Sequence, residues 1–314
     1  MKHNGHPGTK RILPFVLASV LCLIVLFTAC SGGSGDTAET GSVTDPVPAE
    51  TGIYVNELFY DLTRDEGIME LVMFRVGKAD AMLITTENCN ILLDTGEKDD
   101  FDADKIIEYC KTQNISHLDA VIVSNVLTDN IGGYEKICQA LTVDEVIEPS
   151  YNATGHRYTK FLRTVIGSGA SLTSLSEVTE RTFDDVTFTF YPAENPIVYD
   201  TEQDMSLVVS MTHGKNTFLF CGNIREERIA EITETVTEPH TVVKLPDHGF
   251  LFDGMDAFLS QYAPEYVLIS DSALNEVSYE LLSMLAEKNI TYYRTRDAYV
   301  CMKSDGKNLT FSQK

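Results

Sequence analysis

From Met69 onward, short apolar and β-prone runs keep ending in polar loops, and this rhythm limits the chain more than any other feature. Met69 to Val76, Ala81 to Thr85 and Ile91 to Asp94 read as strands separated by turn residues. Leu118 to Ser124 is an apolar run broken only by Asp119 before its closing serine, as expected of a strand buried on both faces. Val143 to Ile147, Thr187 to Tyr191, Ser206 to Met211, Thr217 to Phe220, Val242 to Leu245, Tyr266 to Ser270, Thr291 to Arg294 and Tyr299 to Met302 continue the series. Between them, 3.6-residue periodicity predicts helices over Asp102 to Asn114, Ile131 to Leu141, Arg225 to Glu234, Asp256 to Gln261 and Val277 to Lys288. Strands in both halves with helices between them predict an α/β protein of two packed sheets covered by helices. Hydrophobic residues make up 43% of the 314, enough for a large core.

The first residues have a separate role. Lys2, Lys10 and Arg11 precede an almost unbroken apolar run from Ile12 to Ala29, and Cys30 follows at once. Phe27-Thr28-Ala29-Cys30 resembles a bacterial lipobox, so residues 1–29 are expected to be a lipoprotein signal peptide and Cys30 the lipidated residue. The competing reading is an uncleaved membrane anchor, because the run is nearly long enough to span a bilayer. Both place the body outside the cytoplasmic membrane, and the first predicts a lipid anchor at the outer face of a bacterial membrane. Residues 31–52 are Gly, Ser, Thr, Pro and acids, too polar to fold, so 30–52 is expected to be a flexible linker and 53–314 one domain.

Charge removes one class of ligand. With 47 acidic and 24 basic residues the formal net charge is −23, and the body carries no basic run. Such a surface repels a phosphate backbone, so nucleic acid is not an expected partner. Cys89, Cys110, Cys138, Cys221 and Cys301 are odd in number and show no CxxC spacing, so neither a disulfide framework nor a zinc knot is predicted. No nucleophile elbow and no phosphate-binding glycine loop occurs.

Four loops hold the residues with chemistry in them, each at the end of a predicted strand. They are Phe74-Arg75-Val76-Gly77-Lys78-Ala79-Asp80-Ala81 with Leu93-Asp94-Thr95-Gly96, then Ser124-Asn125-Val126-Leu127-Thr128-Asp129-Asn130-Ile131-Gly132-Gly133, then Phe220-Cys221-Gly222-Asn223, and last Lys244-Leu245-Pro246-Asp247-His248-Gly249. In this order and spacing they resemble the metallo-β-lactamase superfamily, and most closely the hydrolase-like domain of the competence protein ComEC. The resemblance runs from Met69 to Phe311 and implies an αββα sandwich with its site along one edge. In active members the second loop supplies imidazoles and carboxylates to one or two metals that activate a water. The third loop ends in a bridging aspartate and the fourth adds a histidine.

Set onto this chain, that pattern has lost most of its ligands. Asn125, Leu127 and Asn130 stand at ligand positions of the second loop, where only Asp129 survives, and Asn223 stands at the bridging aspartate. Neutral amides are weak donors to a borderline cation, and Leu127 donates nothing. Asp129, Asp247 and His248 have the composition of a mononuclear site if they meet in space. The plainer reading makes Asp129 a cap for the helix beginning at Ile131 and gives His248 a loop hydrogen bond. It is preferred because the trio's partner ligands are gone together. Asp94 and Asp80 are expected to support the loops from behind the ligands. Arg75 and Lys78 put two cations near the former metal region, to hold an anion or, more simply, to stand in solvent. His117, His156, His213 and His240 match no ligand position.

The leading expectation is therefore a lipid-tethered pseudo-hydrolase, probing a ligand or protein partner rather than turning over a substrate and needing no cofactor. The alternative is a phosphoesterase-like hydrolase that uses zinc or another divalent metal at Asp129, Asp247 and His248.

Overall fold

The apolar strands are continuous because each is covered on both sides. In the first, Met69–Met73 (β1), Leu71 and Met73 turn towards a second sheet while Val72 turns towards helices, and all three are fully buried. The computed structural model describes residues 64–97, 100–151, 153–194 and 201–313. The proposed signal peptide, Cys30, the linker and residues 53–63 lie outside the described residues.

The first sheet contains β1, Met82–Thr85 (β2), Asn90–Leu93 (β3), His117–Ile122 (β4), Thr142–Pro149 (β5) and Ser171–Leu175 (β6). The second is built from Thr179–Phe183 (β7), Val186–Tyr191 (β8), Val208–His213 (β9), Asn216–Phe220 (β10), Val242–Lys244 (β11), Tyr266–Ile269 (β12) and Thr291–Arg294 (β13). Val300–Ser304 (β14) and Leu309–Gln313 (β15) then return to the first sheet, whose order is β15-β14-β1-β2-β3-β4-β5-β6. The second sheet runs in simple reverse order from β13 to β7.

Three apolar layers result. Ile91, Leu93, Ala120 and Ile122 of the first sheet meet Phe188, Phe190, Phe218 and Phe220 of the second. Behind the first sheet, Asp100–Thr112 (α1), Tyr134–Ala140 (α3) and His156–Ser168 (α4) bury Ile106, Ile137 and Phe161 against Leu92 and Val121. Behind the second, Glu226–Thr235 (α5), Met255–Tyr262 (α6) and Tyr279–Glu287 (α7) bury Ile232, Phe258 and Leu281 against Leu219 and Val243. This is the αββα sandwich. Among the described residues no helix is long and apolar enough to cross a membrane.

The helix expected from Ile131 to Leu141 is divided. A single turn, Thr128–Ile131 (α2), precedes α3, and Gly132-Gly133 separates them. The division follows from a close approach: a Cβ on Gly133 would lie 2.2 Å from the Thr95 carbonyl oxygen. The expected cap is also overturned. Asp129 lies inside the first turn of α2, which has no side-chain cap hydrogen bond, because its carboxylate is engaged across the cleft. No disulfide joins the five cysteines of the body among the described residues, and Cys110, Cys221 and Cys301 are buried.

Candidate functional site

Parallel pairing sets where the loops emerge. β3, β4 and β5 run parallel in the first sheet, and β10, β11 and β12 in the second, so the loops following them project from one edge. All four loops singled out in the sequence meet there.

Asp94 anchors the floor. It is buried with a left-handed backbone (φ 60°) and accepts hydrogen bonds from the Ser124 amide (2.7 Å), the Ser124 hydroxyl (2.6 Å) and the Asn130 side-chain amide (3.1 Å). Burial and the nearby Asp80 carboxylate outweigh those hydrogen bonds and push its pKa up to about 8.

The amides at the former ligand positions are spent on the protein itself. Asn125 is fully buried; its Nδ2 donates to the Glu202 carbonyl (2.6 Å) and Ser206 Oγ (3.0 Å). Its Oδ1 accepts from the Leu127 amide (3.1 Å) and the Tyr151 hydroxyl (3.2 Å). Asn130 donates to Asp94 and Ser124 Oγ, and Asn223 donates to Asp129 Oδ2 at 2.9 Å. Asn125 and Asn223 therefore tie together loops from different sheets, which is the cross-linking a metal would otherwise supply. Leu127 contributes only its backbone.

A second network crosses the sheets beneath the cleft. Lys244, at the end of β11, pairs with Asp80 of the β1–β2 loop, and both side chains are 1% exposed. Burial alone would raise the Asp80 pKa, but the Lys244 ammonium, His248 and the hydrogen bonds from Lys244 and Ser270 hold it below the usual carboxylate range. Ser270 Oγ donates to Asp80 at 2.5 Å, and that spends its one proton. The 2.9 Å contact between Ser270 Oγ and His248 must then be donated by Nδ1–H. Nε2 lies 3.5 Å from Asp129 Oδ2, an ion-pair distance when the ring is protonated, and makes no hydrogen bond among the described residues. Lys244 is a site residue that sequence reasoning missed, because it reads simply as the end of an apolar strand.

Asp247 and His248 both adopt left-handed backbone conformations (φ 39° and 60°), unusual for residues with side chains and a local strain. The turn brings His248 to Asp129 but sends Asp247 elsewhere. Arg225 holds Asp247 Oδ2 through Nε (3.0 Å) and a terminal nitrogen (2.9 Å), and its guanidinium stacks 5.7 Å over Phe250. Arg75 is exposed and donates to the Arg296 carbonyl. Lys78, also exposed, lines a cavity of about 300 Å³ with Asp247, His248, Phe250, Leu251 and Val277.

The residues present do not fit the metal centre that the fold implies. Asp247 is neutralised by Arg225, Asn125 has both amide atoms engaged, and the Asn130 nitrogen faces Asp94. One imidazole, one carboxylate and the hydrogen-bond-free Oδ1 atoms of Asn130 and Asn223 remain. A zinc or iron site needs more charge and more donors than that.

Among the described residues, one group of three ligand-type side chains lies elsewhere. His117 lies 3.0 Å from Asp144 and 3.9 Å from Asp119, with ligand atoms from all three residues within 4.8 Å of one another. It sits where β4 and β5 begin, at the opposite edge of the sheet. By sequence His117 matches no ligand position of the fold. Its Asp144 partner is 67% exposed, so the group has the character of surface ion pairs. His213 and His240 are buried hydrogen-bonding residues: His213 lies between Ser304 and Asp185 (3.1 Å), and His240 contacts Ser210.

Two helix-covered sheets with a cleft at the ends of their parallel strands define the metallo-β-lactamase fold, and the chain has that fold. Comparison with solved structures agrees. The metallo-β-lactamase fold protein YhfI from Bacillus subtilis is similar over 72% of this chain and 95% of its own, with a TM-score of 0.51 and 13% identity. CmlA, a diiron β-hydroxylase from Streptomyces venezuelae, is similar over 78% of this chain and 54% of its own, with a TM-score of 0.51 and 11% identity. At such identities the likeness is one of fold. No protein-family model matches the sequence, and no curated protein does.

Proposed function

We propose that this chain is a non-catalytic, metal-independent member of the ComEC-like branch of the fold, tethered by lipid on Cys30 to the outer face of a bacterial membrane, where its cleft binds a ligand or partner. The observation that carries this reading is the use of Asn125 and Asn223 as hydrogen-bonded ties between loops that metals would otherwise join. A hydrolytic metal has to be held by deprotonated, charged donors that leave it open to water. Here those positions carry neutral amides.

A reduced mononuclear hydrolase is the second reading, favoured by the nearness of His248 Nε2 to Asp129. Elemental analysis of the full chain, extracted in mild detergent without chelator, separates the two. The expected result is a metal content far below stoichiometric in a cooperatively folded protein. Stoichiometric zinc, with a phosphodiesterase activity abolished in His248→Ala, would overturn the non-catalytic reading.

A further inference from the structure

We propose that the groove between α3 and α4 binds a small organic carboxylate with an apolar body, its charge held by Arg157 and Lys160. The site goes beyond the reading of the cleft. None of its lining residues stands at a former ligand position, so it is independent of whether the cleft holds a metal.

The groove has a volume of about 400 Å³ and a preformed apolar floor. Ile131 of α2, Tyr134 of α3 and Phe161 of α4 form that floor, and the two rings pack edge to face with centroids 5.3 Å apart. All three residues are buried, so their positions are set by the fold and a ligand need not order them. The volume suits a molecule with one ring on a short chain.

The rim sets the sign of the ligand. His156, Arg157 and Lys160 line the groove against a single acid, Glu135. Arg157 and Lys160 less Glu135 leave an excess of one positive charge, which matches a monoanion. In a chain of net charge −23 this is a local reversal: α4 carries His156, Arg157, Lys160 and Arg163 and no acid. The cavity between α5 and α6, by contrast, is lined by Glu226 and Asp253 and by no cation. Helix stability does not account for the placement. His156 and Arg157 open α4 at the end where the helix dipole is positive and cations are disfavoured, and Gly155 before them supplies no side-chain cap. An anion seated beside them offsets that repulsion.

Arg157 is already fixed in position. Its Nε donates to the Val126 carbonyl at 2.8 Å and one terminal nitrogen to Glu202 at 2.9 Å. The other terminal nitrogen makes no hydrogen bond among the described residues. A guanidinium held at two points presents its remaining donors with little further loss of freedom. Lys160 pairs with Glu135 from α4 to α3, across the groove. The side chains of both ion pairs are between 38% and 48% exposed. Pairs so open to water are weak and give way to a carboxylate that also brings apolar surface to bury.

The test is titration calorimetry on the full chain in detergent, against detergent-only blanks, with three probes of one shape: 3-phenylpropanoate, 3-phenylpropan-1-ol and 3-phenylpropylamine. The acid should bind at one site, and the alcohol and the amine about tenfold more weakly or worse, as expected for loss of a charged hydrogen bond. Lys160→Gln and Arg157→Gln should each weaken the acid by about fivefold or more, with thermal melts reporting that each variant is folded. Arg163→Gln removes the same charge from the same helix outside the groove, and should leave binding of the acid unchanged. The proposal is overturned if the acid does not bind, if the alcohol or the amine matches it, or if folded Lys160→Gln binds it as the parent does. It is also overturned if Arg163→Gln weakens the acid as much as Lys160→Gln, since the attraction would then belong to the helix as a whole. Metal content bears only on the cleft, so the two readings stand or fall separately.

Discussion

A lysine sealed inside a protein is tolerable only while its counter-ion is in place. Lys244 and Asp80 illustrate this at the base of the cleft, each side chain 1% exposed, one at the end of β11 in the second sheet and the other in the β1–β2 loop of the first. Lys244→Met leaves Asp80 as an uncompensated buried carboxylate and should destabilise the fold by about 3–5 kcal/mol. Adding Asp80→Asn removes that charge and should restore most of the loss, so urea unfolding of both singles and the double is the measurement. Additive losses would mean that the pair does not interact. The loop residues around this pair are legible in the sequence because Asp94, Asp129 and His248 sit in short motifs whose spacing fixes where they emerge. Lys244 and Arg225 are not, since the reach of a long side chain depends on which strand ends face one another. The same holds for Asp247, which the motif places beside His248 but which Arg225 draws into a separate pair.

Among the secondary elements, α3 depends on one contact. Gly133 lets it approach the Asp94-Thr95-Gly96 loop, where any Cβ would lie 2.2 Å from the Thr95 carbonyl oxygen. Gly133→Ala should force that loop and α3 apart and lower stability by roughly 1–3 kcal/mol. Gly167→Ala is the control, since that position in α4 has open space around it and gains helix propensity. Thermal melts of the two variants should move in opposite directions, and a Gly133→Ala melt like the parent's would refute the close approach. Strands buried on both faces are plain from their apolar stretches, as in Ile91 to Leu93 of β3 and Ala120 to Ile122 of β4. α4, β6 and β7 were not assigned from sequence. β7 exposes alternate residues of a polar stretch, Thr-Glu-Arg-Thr-Phe, and β6 is mostly solvent-facing, so neither offers the hydrophobic contrast that marks a strand.

For the molecule as a whole, the proposal places a strongly acidic body on a lipid tether. Stable attachment follows from acylation at Cys30, so Cys30→Ser should abolish labelling by tritiated palmitate, and the parent chain should carry the label in the membrane fraction. Equal labelling of both would refute lipidation at this residue and favour the uncleaved anchor. Anionic lipid headgroups would repel a body of this charge, which suits a cleft held out in solvent on a polar linker.

The strand order has a kinetic consequence. β1 lies between β2 and β14, so Met69 pairs with Ser304, and the first sheet is finished only by the last two strands to be synthesised. Pairings between such distant residues form slowly, because the intervening chain must be closed before they reward it. Through most of its synthesis the polypeptide therefore has an incomplete sheet and an unsealed core. Under the proposed placement outside the membrane, that delay would keep the chain thin enough to be threaded through a narrow export channel, with folding completed on the far side.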